Sequence, residues 1–382
     1  MKKIIALAVA SAFIVPAAMA DVTIYGSARS AVEYSHNDDT AAVSNNRFRL
    51  VDEGSRLGFK GSDKLDSGLT VLWGNENRIR VGASSQVTGA TSGSSTGIDT
   101  QGWNARDTFV GLQGDFGTIK AGVRMANLLD SSLSDYAAAL GDNVDGNGGQ
   151  DFSVRRGDVR GTNSVIYVSP SFSGFKFKAM YDFGAKTTTA VNAYSYGATA
   201  MYNANMFDIG ATYIGSHNTN LASVQQSATS TLTSTPVDGN KYNNYQIAGQ
   251  IKPISGLSIG AGWQRVSTTT SNVDAHQDGY GLGARYAVGK LTYSLTGGIV
   301  NDVKGDSAIS VTDTGYKLFN GTIIYALSKQ TQMQFGVSYI KNKANAGTYS
   351  GNGFSLVGTD TGVTPAANGS ATVASVGLRT DF

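Results

Sequence analysis

Along most of this chain every second residue is apolar. Leu257, Ile259, Ala261 and Trp263 interleave with Ser258, Gly260, Gly262 and Gln264, and Phe175, Phe177, Ala179, Tyr181 and Phe183 with Lys176, Lys178, Met180 and Asp182. Leu291, Tyr293, Leu295, Gly297 and Ile299 alternate in the same way with Thr292, Ser294, Thr296 and Gly298. A period of two belongs to a strand with unlike faces, and helical spacing fits none of these segments. The pattern predicts strands near 22–34, 47–61, 68–80, 105–114, 117–126, 161–169, 174–184, 194–203, 206–215, 241–252, 256–266, 278–288, 290–301, 316–327, 331–342 and 373–382. That is sixteen, an even number, and most have the length that crosses a bilayer when tilted.

The joins sort by length. Long ones occupy 35–46, 81–104, 127–160, 185–193, 216–240, 267–277, 302–315 and 343–372. Between them fall tight turns such as GDFG at 114–117, SPSFSG at 169–174, KPISG at 252–256 and VGK at 288–290. A soluble sandwich has no reason to segregate loop length by side, whereas an outer-membrane barrel does. The expected fold is therefore all-β: a sixteen-stranded antiparallel transmembrane β-barrel with long extracellular loops and short periplasmic turns. Hydrocarbon leaves no backbone group unpaired, so such a sheet must close on itself. The apolar rows then face lipid and the Gly, Ser, Thr, Asn and charged rows face a lumen wide enough for water.

The first twenty residues read MKKIIALAVASAFIVPAAMA, with Lys2 and Lys3 ahead of an apolar run and Ala18-Met19-Ala20 as a small-x-small site. This is expected to be a signal peptide, residues 1–20, leaving a barrel over 21–382. Without Lys2 and Lys3 the 30 basic residues fall to 28, equal to the 28 acidic ones, so no strongly basic nucleic-acid surface is implied. There is no cysteine to form a disulfide. Pro170, Pro236, Pro253 and Pro365 all avoid the alternating segments, as residues lacking an N–H must in a sheet. The last segment, ASVGLRTDF, turns Ala374, Val376, Leu378, Thr380 and Phe382 to one side and Arg379 and Asp381 to the other. It is expected to pair with Val22–Tyr34 and seal the ring.

The stretches DVTIYGSARSAVEY, GSRLGFKGSDKLDSGLTVLW, RDTFVGLQGDFGTIKAGVR, NSVIYVSPSFSGFKFKAMYDF, IIYALSKQTQMQFGVSYIKN and VGLRTDF resemble, in order, the general porins of the betaproteobacterial and neisserial type. The resemblance implies a homotrimer in the outer membrane, passive diffusion of ions and small hydrophilic solutes, and a third loop folded into each lumen. It also implies that Phe382 is read by the outer-membrane assembly machinery. The chain departs from the family pattern at Ile166 and Val168, where a basic and an acidic residue are common, and at Thr380, where histidine is common.

A channel of this kind acts through fixed charges at its narrowest section. Parity turns Arg29, Arg56, Lys60, Lys120 and Arg124 inward as a basic wall, with Lys176, Lys178, Arg285 and Arg379 also inward and Arg78 and Arg80 in phase with Glu76. The third loop, 127–160, carries Asp130, Asp135, Asp142, Asp145 and Asp151. Its segment NLLDSSLSDYAAAL has the spacing of a short helix, expected to lie on the inner wall and point Asp130 or Asp135 at the arginines. DNVDGNGGQD, 142–151, lacks the closing glutamate of a calcium loop, so neither metal nor cofactor is expected. His36, His217 and His276 fall in predicted loops without a nucleophile and orienting acid at recognisable spacing, so an enzyme is not expected. A substrate-specific channel is the alternative, although most aromatics face outward rather than lining a track.

Overall fold

The computed structural model describes residues 21–38, 46–79, 81, 106–126, 128–140, 153–156, 160–161, 163–184, 192–218, 239–270, 273–306, 312–346 and 367–382. The segment expected to be a signal peptide lies outside them. The strands are β1 (Asp21–Asn37), β2 (Asn46–Asp52), β3 (Arg56–Lys64), β4 (Thr70–Arg78), β5 (Thr108–Gly114) and β6 (Gly117–Val123). After the helix α1 (Leu128–Tyr136) come β7 (Ser164–Val168), β8 (Phe175–Asp182), β9 (Tyr194–Asn203), β10 (Phe207–His217), β11 (Lys241–Ile254) and β12 (Leu257–Thr270). The chain ends with β13 (Val273–Val288), β14 (Leu291–Val300), β15 (Lys304–Gly305), β16 (Tyr316–Ala326), β17 (Thr331–Asn342) and β18 (Ser370–Asp381).

Each strand pairs antiparallel with its neighbour, and β1 pairs with β18 from Ser27↔Asp381 to Asn37↔Ala371. The ring is closed. Of the eighteen strands, β2 and β3 are halves of one stave, both paired with β1, and β15 is a two-residue spur on β13. Sixteen staves remain. The second breaks at Glu53-Gly54-Ser55, where Gly54 has φ 84° and Ser55 hydrogen-bonds both ways with the Arg29 backbone.

The faces separate as alternation requires. Val22, Ile24, Val376 and Leu378 stand exposed on the outer surface, while Arg29 and Glu33 of the same seam are buried inside. In β5, Val110 faces out beside Trp73, and Phe109 turns inward under the Lys120 ammonium, 4.3 Å from the ring centre. Outer aromatics gather at two heights. Phe175, Tyr202 and Phe207 contact one another near the tight turns, and Tyr181, Tyr194, Tyr196, Tyr213 and Tyr245 do so toward the long loops. Such belts mark the two membrane–water boundaries.

Three sequence expectations change. Pro253 does not avoid the strands: it lies within β11, at the register shift between Ile251 and Ile254, where no ladder hydrogen bond is required of it. The join 267–277 is not a long loop: β12 and β13 climb to Thr270 and Val273, because the Thr/Ser run pairs in register from Ser267↔His276 to Thr270↔Val273. For the same reason the histidines are not in loops. His36, His217 and His276 sit at the ends of β1, β10 and β13, and His217 stacks on Tyr194 at 4.9 Å.

Above β14 a clasp orders the external chain. Both oxygens of Asp302 accept from Lys343 Nζ at 2.9 Å, and Oδ1 also takes the Gly315 N–H at 2.8 Å. Partial burial opposes ionisation of Asp302, but the Lys343 ammonium and the Gly315 amide outweigh it and hold the carboxyl below its ordinary value. A depressed carboxylate contributes stability above its unfolded pKa and loses it as pH falls through the folded one. Amide exchange at Gly315 is therefore expected to be slow near pH 7 and to accelerate below about pH 4. Exchange corrected for intrinsic rate that stays flat across that range would remove the clasp.

Candidate pore constriction

The third long connection leaves β6 at Arg124, whose φ of 55° turns the chain inward. Its neck is pinned. Asp107 Oδ1 accepts from the Ala126 N–H at 2.8 Å and from Arg160 Nη1 at 2.5 Å, Arg160 also donates to the Arg124 carbonyl, and Gly161 N donates to Met125 O.

Beyond the neck, α1 lies on the inner faces of β8 to β11, burying Leu128, Leu129, Leu133 and Tyr136. Tyr136 Oη donates to Gln246 Oε1 at 2.6 Å, and the Ala139 N–H reaches Gln250 Oε1 at 2.9 Å. The returning arm is fixed by Arg156, only 1% exposed. Its guanidinium donates to Gln277 Oε1 at 2.7 Å and to the Gln277 carbonyl at 2.9 Å. The Arg156 backbone N–H donates to Gln264 Oε1, and its carbonyl accepts from Gln264 and Asn244 side chains. Three inward amides of β11–β13 thus read the backbone and side chain of one loop residue.

The wall under the loop is glycine. A Cβ on Gly210 would come within 2.5 Å of the Tyr136 ring, on Gly283 within 2.3 Å of the Ala139 carbonyl oxygen, and on Gly279 within 2.0 Å of the Ser153 carbonyl oxygen. These small inward residues are the seat of the loop rather than simply empty lumen.

Of the helix side chains described, Ser134 and Asp135 are the exposed ones. Asp135 does not meet an arginine: Lys178 Nζ of β8 donates to its Oδ2 at 2.8 Å. The correction follows from where the helix docks, against β8–β11, which brings Lys178 beneath it. Lys120 projects inward nearby, opposite Ile166 of β7. Asp130 lies on the helix, but its side chain and all of Asp142, Asp145 and Asp151 fall outside the described residues.

Elsewhere on the inner wall, Arg56 and Arg78 face each other across β3 and β4, and Lys60 is exposed with its ammonium 5.0 Å from the Tyr25 ring centre. The acid among them is Glu76, which parity also turns inward. Glu76 lies between Arg56, at 3.9 Å, and Arg106, which donates to its other oxygen. Arg29 is 1% exposed, with its Nε donating to Ser27 Oγ at 2.6 Å. Burial of this degree keeps it off the lumen surface, unlike the position expected of it in a basic wall. Glu76 shares the inward phase of Arg78, a signal present in the sequence. Arg156 and Arg160 lie outside the predicted strands, where alternation carries no information, and Arg106 falls in the predicted strand 105–114 but ahead of the observed β5, which begins at Thr108. Among the described residues no group of three or more His, Asp or Glu could hold a metal.

The family described as Gram-negative porin matches residues 6–345. The chain belongs to that family. This porin is 34% identical over 188 residues to the major outer membrane protein P.IB of Neisseria sicca, covering 47% of this chain and 46% of that one. To the protein of the same name from Neisseria lactamica it is 30% identical over 217 residues, covering 54% and 56%. The porin thus spans about half the length of the curated relatives it matches. Its fold is similar to an anion-selective porin from Comamonas acidovorans, with TM-score 0.69 at 20% identity over 95% of this chain and 100% of that one. It is also similar to the trimer form of OmpT from Vibrio cholerae, with TM-score 0.66 at 15% identity over 94% and 99%. The porin is a multi-pass protein of the outer membrane, and its family is one of channels rather than enzymes.

Proposed function

We propose that this porin is a general diffusion channel for ions and small hydrophilic solutes, with a constriction charged by both wall and loop. The observation that carries the reading is exposure inside a sealed cylinder. Lys60 is exposed and the Asp135 side chain is 40% exposed, although both stand on the inner side of a continuous hydrogen-bonded wall. Water that reaches them must occupy the lumen. The proposed constriction is bounded by Arg56, Lys60, Lys120 and Arg124 on one arc and by the third loop with Asp130 and Asp135 on the other, with Arg29 contributing field from behind.

Flux of neutral sugars into proteoliposomes is expected to fall smoothly with solute size and not to saturate. Saturable uptake of one sugar would favour the substrate-specific alternative. Replacing Arg56 or Lys60 by alanine is expected to shift the permeability ratio toward cations by about twofold, the scale of one solvent-screened charge. Asp135→Asn is expected to shift it the other way. Reversal potentials under a salt gradient read both directions, and no shift in either would remove these side chains from the constriction.

A homotrimer fits the outer wall. Asn75, Asn77 and Thr108 face outward on β4 and β5 and hydrogen-bond to one another among apolar neighbours. Amides turned toward hydrocarbon are costly, and a neighbouring subunit would cover them. Phe382 is proposed as the residue read during assembly; its backbone exchanges hydrogen bonds with Gly26 at 2.8 and 3.1 Å.

A further inference from the structure

On the outer surface of β16 and β17, Lys317 and Lys341 stand directly opposite each other in register. They share the outward phase of Phe319 and Tyr339, which pair one step below them. Like charges at directly opposed positions repel. Neither lysine makes a salt bridge among the described residues. Lys341 donates to the Asn368 carbonyl at 2.8 Å, Asp38 is the acid whose field it touches, and the adjacent Lys343 is already engaged by Asp302.

Their height is informative. From Tyr325, at the tight-turn end of β16, to Lys317 the strand rises eight residues, or roughly 26 Å, which at a tilt near 40° is about 20 Å along the barrel axis. The apolar band of such barrels is about 25 Å tall. The two ammonium groups therefore lie at the outer edge of the hydrocarbon, where lipid headgroups begin. Below Phe319 and Tyr339 the same surface is hollowed into an apolar groove of about 920 Å³, lined by Val32, Leu295, Ile323, Phe335, Val337 and Val376 among others.

We propose that this face seats a phosphate-bearing lipid of the outer leaflet, its headgroup phosphate bridging Lys317 and Lys341 and one acyl chain lying in the groove beneath the aromatic pair. The phosphate supplies the counter-charge that the facing lysines lack among the described residues. The groove supplies what a free anion could not use, and so commits the site to a lipid. The pair is remote from the lumen, so the site is separate from permeation.

The test uses the full-length protein, purified in neutral detergent, delipidated and followed by native mass spectrometry. It is titrated separately with phosphatidylglycerol, phosphatidylcholine and inorganic phosphate. The native protein is expected to retain phosphatidylglycerol in preference to phosphatidylcholine and to hold no free phosphate. Lys317→Gln/Lys341→Gln is expected to bind phosphatidylglycerol about thirtyfold more weakly, as loss of two lysines at an anionic surface implies, with single-channel conductance unchanged. Val337→Trp, which fills the groove and keeps both lysines, is expected to weaken retention as well. Equal retention by the lysine variant, equal retention of the neutral lipid, or capture of inorganic phosphate alone would overturn the proposal. So would disulfide cross-linking of a Val337→Cys variant to a second copy, because the groove would then be covered by protein.

Discussion

Replacing Arg156 by alanine is expected to turn a steady open-channel current into a fluctuating one without dissolving the barrel. Arg156 is the point at which the returning arm of the third loop is held, through its guanidinium on Gln277 and its backbone between Gln264 and Asn244. Each hydrogen bond to a charged group contributes roughly 1.5–3 kcal/mol, so losing the two to Gln277 costs on the order of 4 kcal/mol of loop seating. The Gln277 side chain is also left with a buried acceptor unpaired. The sheet does not depend on this contact, since β11–β13 pair through their own backbones. Single-channel recordings should show open-state current variance several-fold above native, with heat-modifiable migration on gels unchanged. Arg156→Lys, which keeps the charge and some of the donors, should fall between. A variance equal to native in the alanine variant would show that the arm is held elsewhere.

A second large effect is expected from a single side chain added under the same loop. In Gly283→Leu the new Cβ would meet the Ala139 carbonyl oxygen at 2.3 Å, and a backbone atom cannot swing aside as a flexible side-chain tip can. Overpacking of this kind costs about 1–3 kcal/mol and is relieved here by lifting the loop off the wall toward the axis. Conductance is expected to drop. Gly297→Leu is the matched control: Gly297 lies opposite Leu282 on the outer face, and its nearest neighbour atom would be 3.8 Å away. If both variants conduct alike, or if the inner one conducts like the native channel, the glycine seat has no bearing on the pore.

These two residues mark the limit of what the sequence discloses. The staves are readable because alternation is a local property: Leu257, Ile259 and Ala261 face lipid wherever the neighbouring strands lie. The closure of β1 on β18 is readable from the matching phase of Val22–Tyr34 and Ala374–Phe382. The top of β12 and β13 is not, because Ser267 to Thr270 and Val273 to Gln277 lack an apolar row once they rise beyond the hydrocarbon. Register pairing, rather than hydrophobicity, extends them. The loop's docking site is hidden for another reason. Gly210, Gly279 and Gly283 look in the sequence like any small lumen residue, and only the path of Tyr136, Ala139 and Ser153 over them reveals a seat. Likewise parity places Lys178 inside and the third-loop helix carries Asp135 there, but neither says which faces which, and the pairing of Asp135 with Lys178 follows from the docking of α1.

The hydrogen bonds between Gly26 and Phe382 join the first stave of the ring to the last residue of the chain. Until β18 is in place beside β1, the structure has two raw edges and no permissible resting place in oil. A fragment short of its final strand cannot be a smaller pore; it is an aggregation hazard with unsatisfied amides on both margins. The cell must therefore carry the entire polypeptide, unfolded and guarded, to its destination before any of it can become a wall.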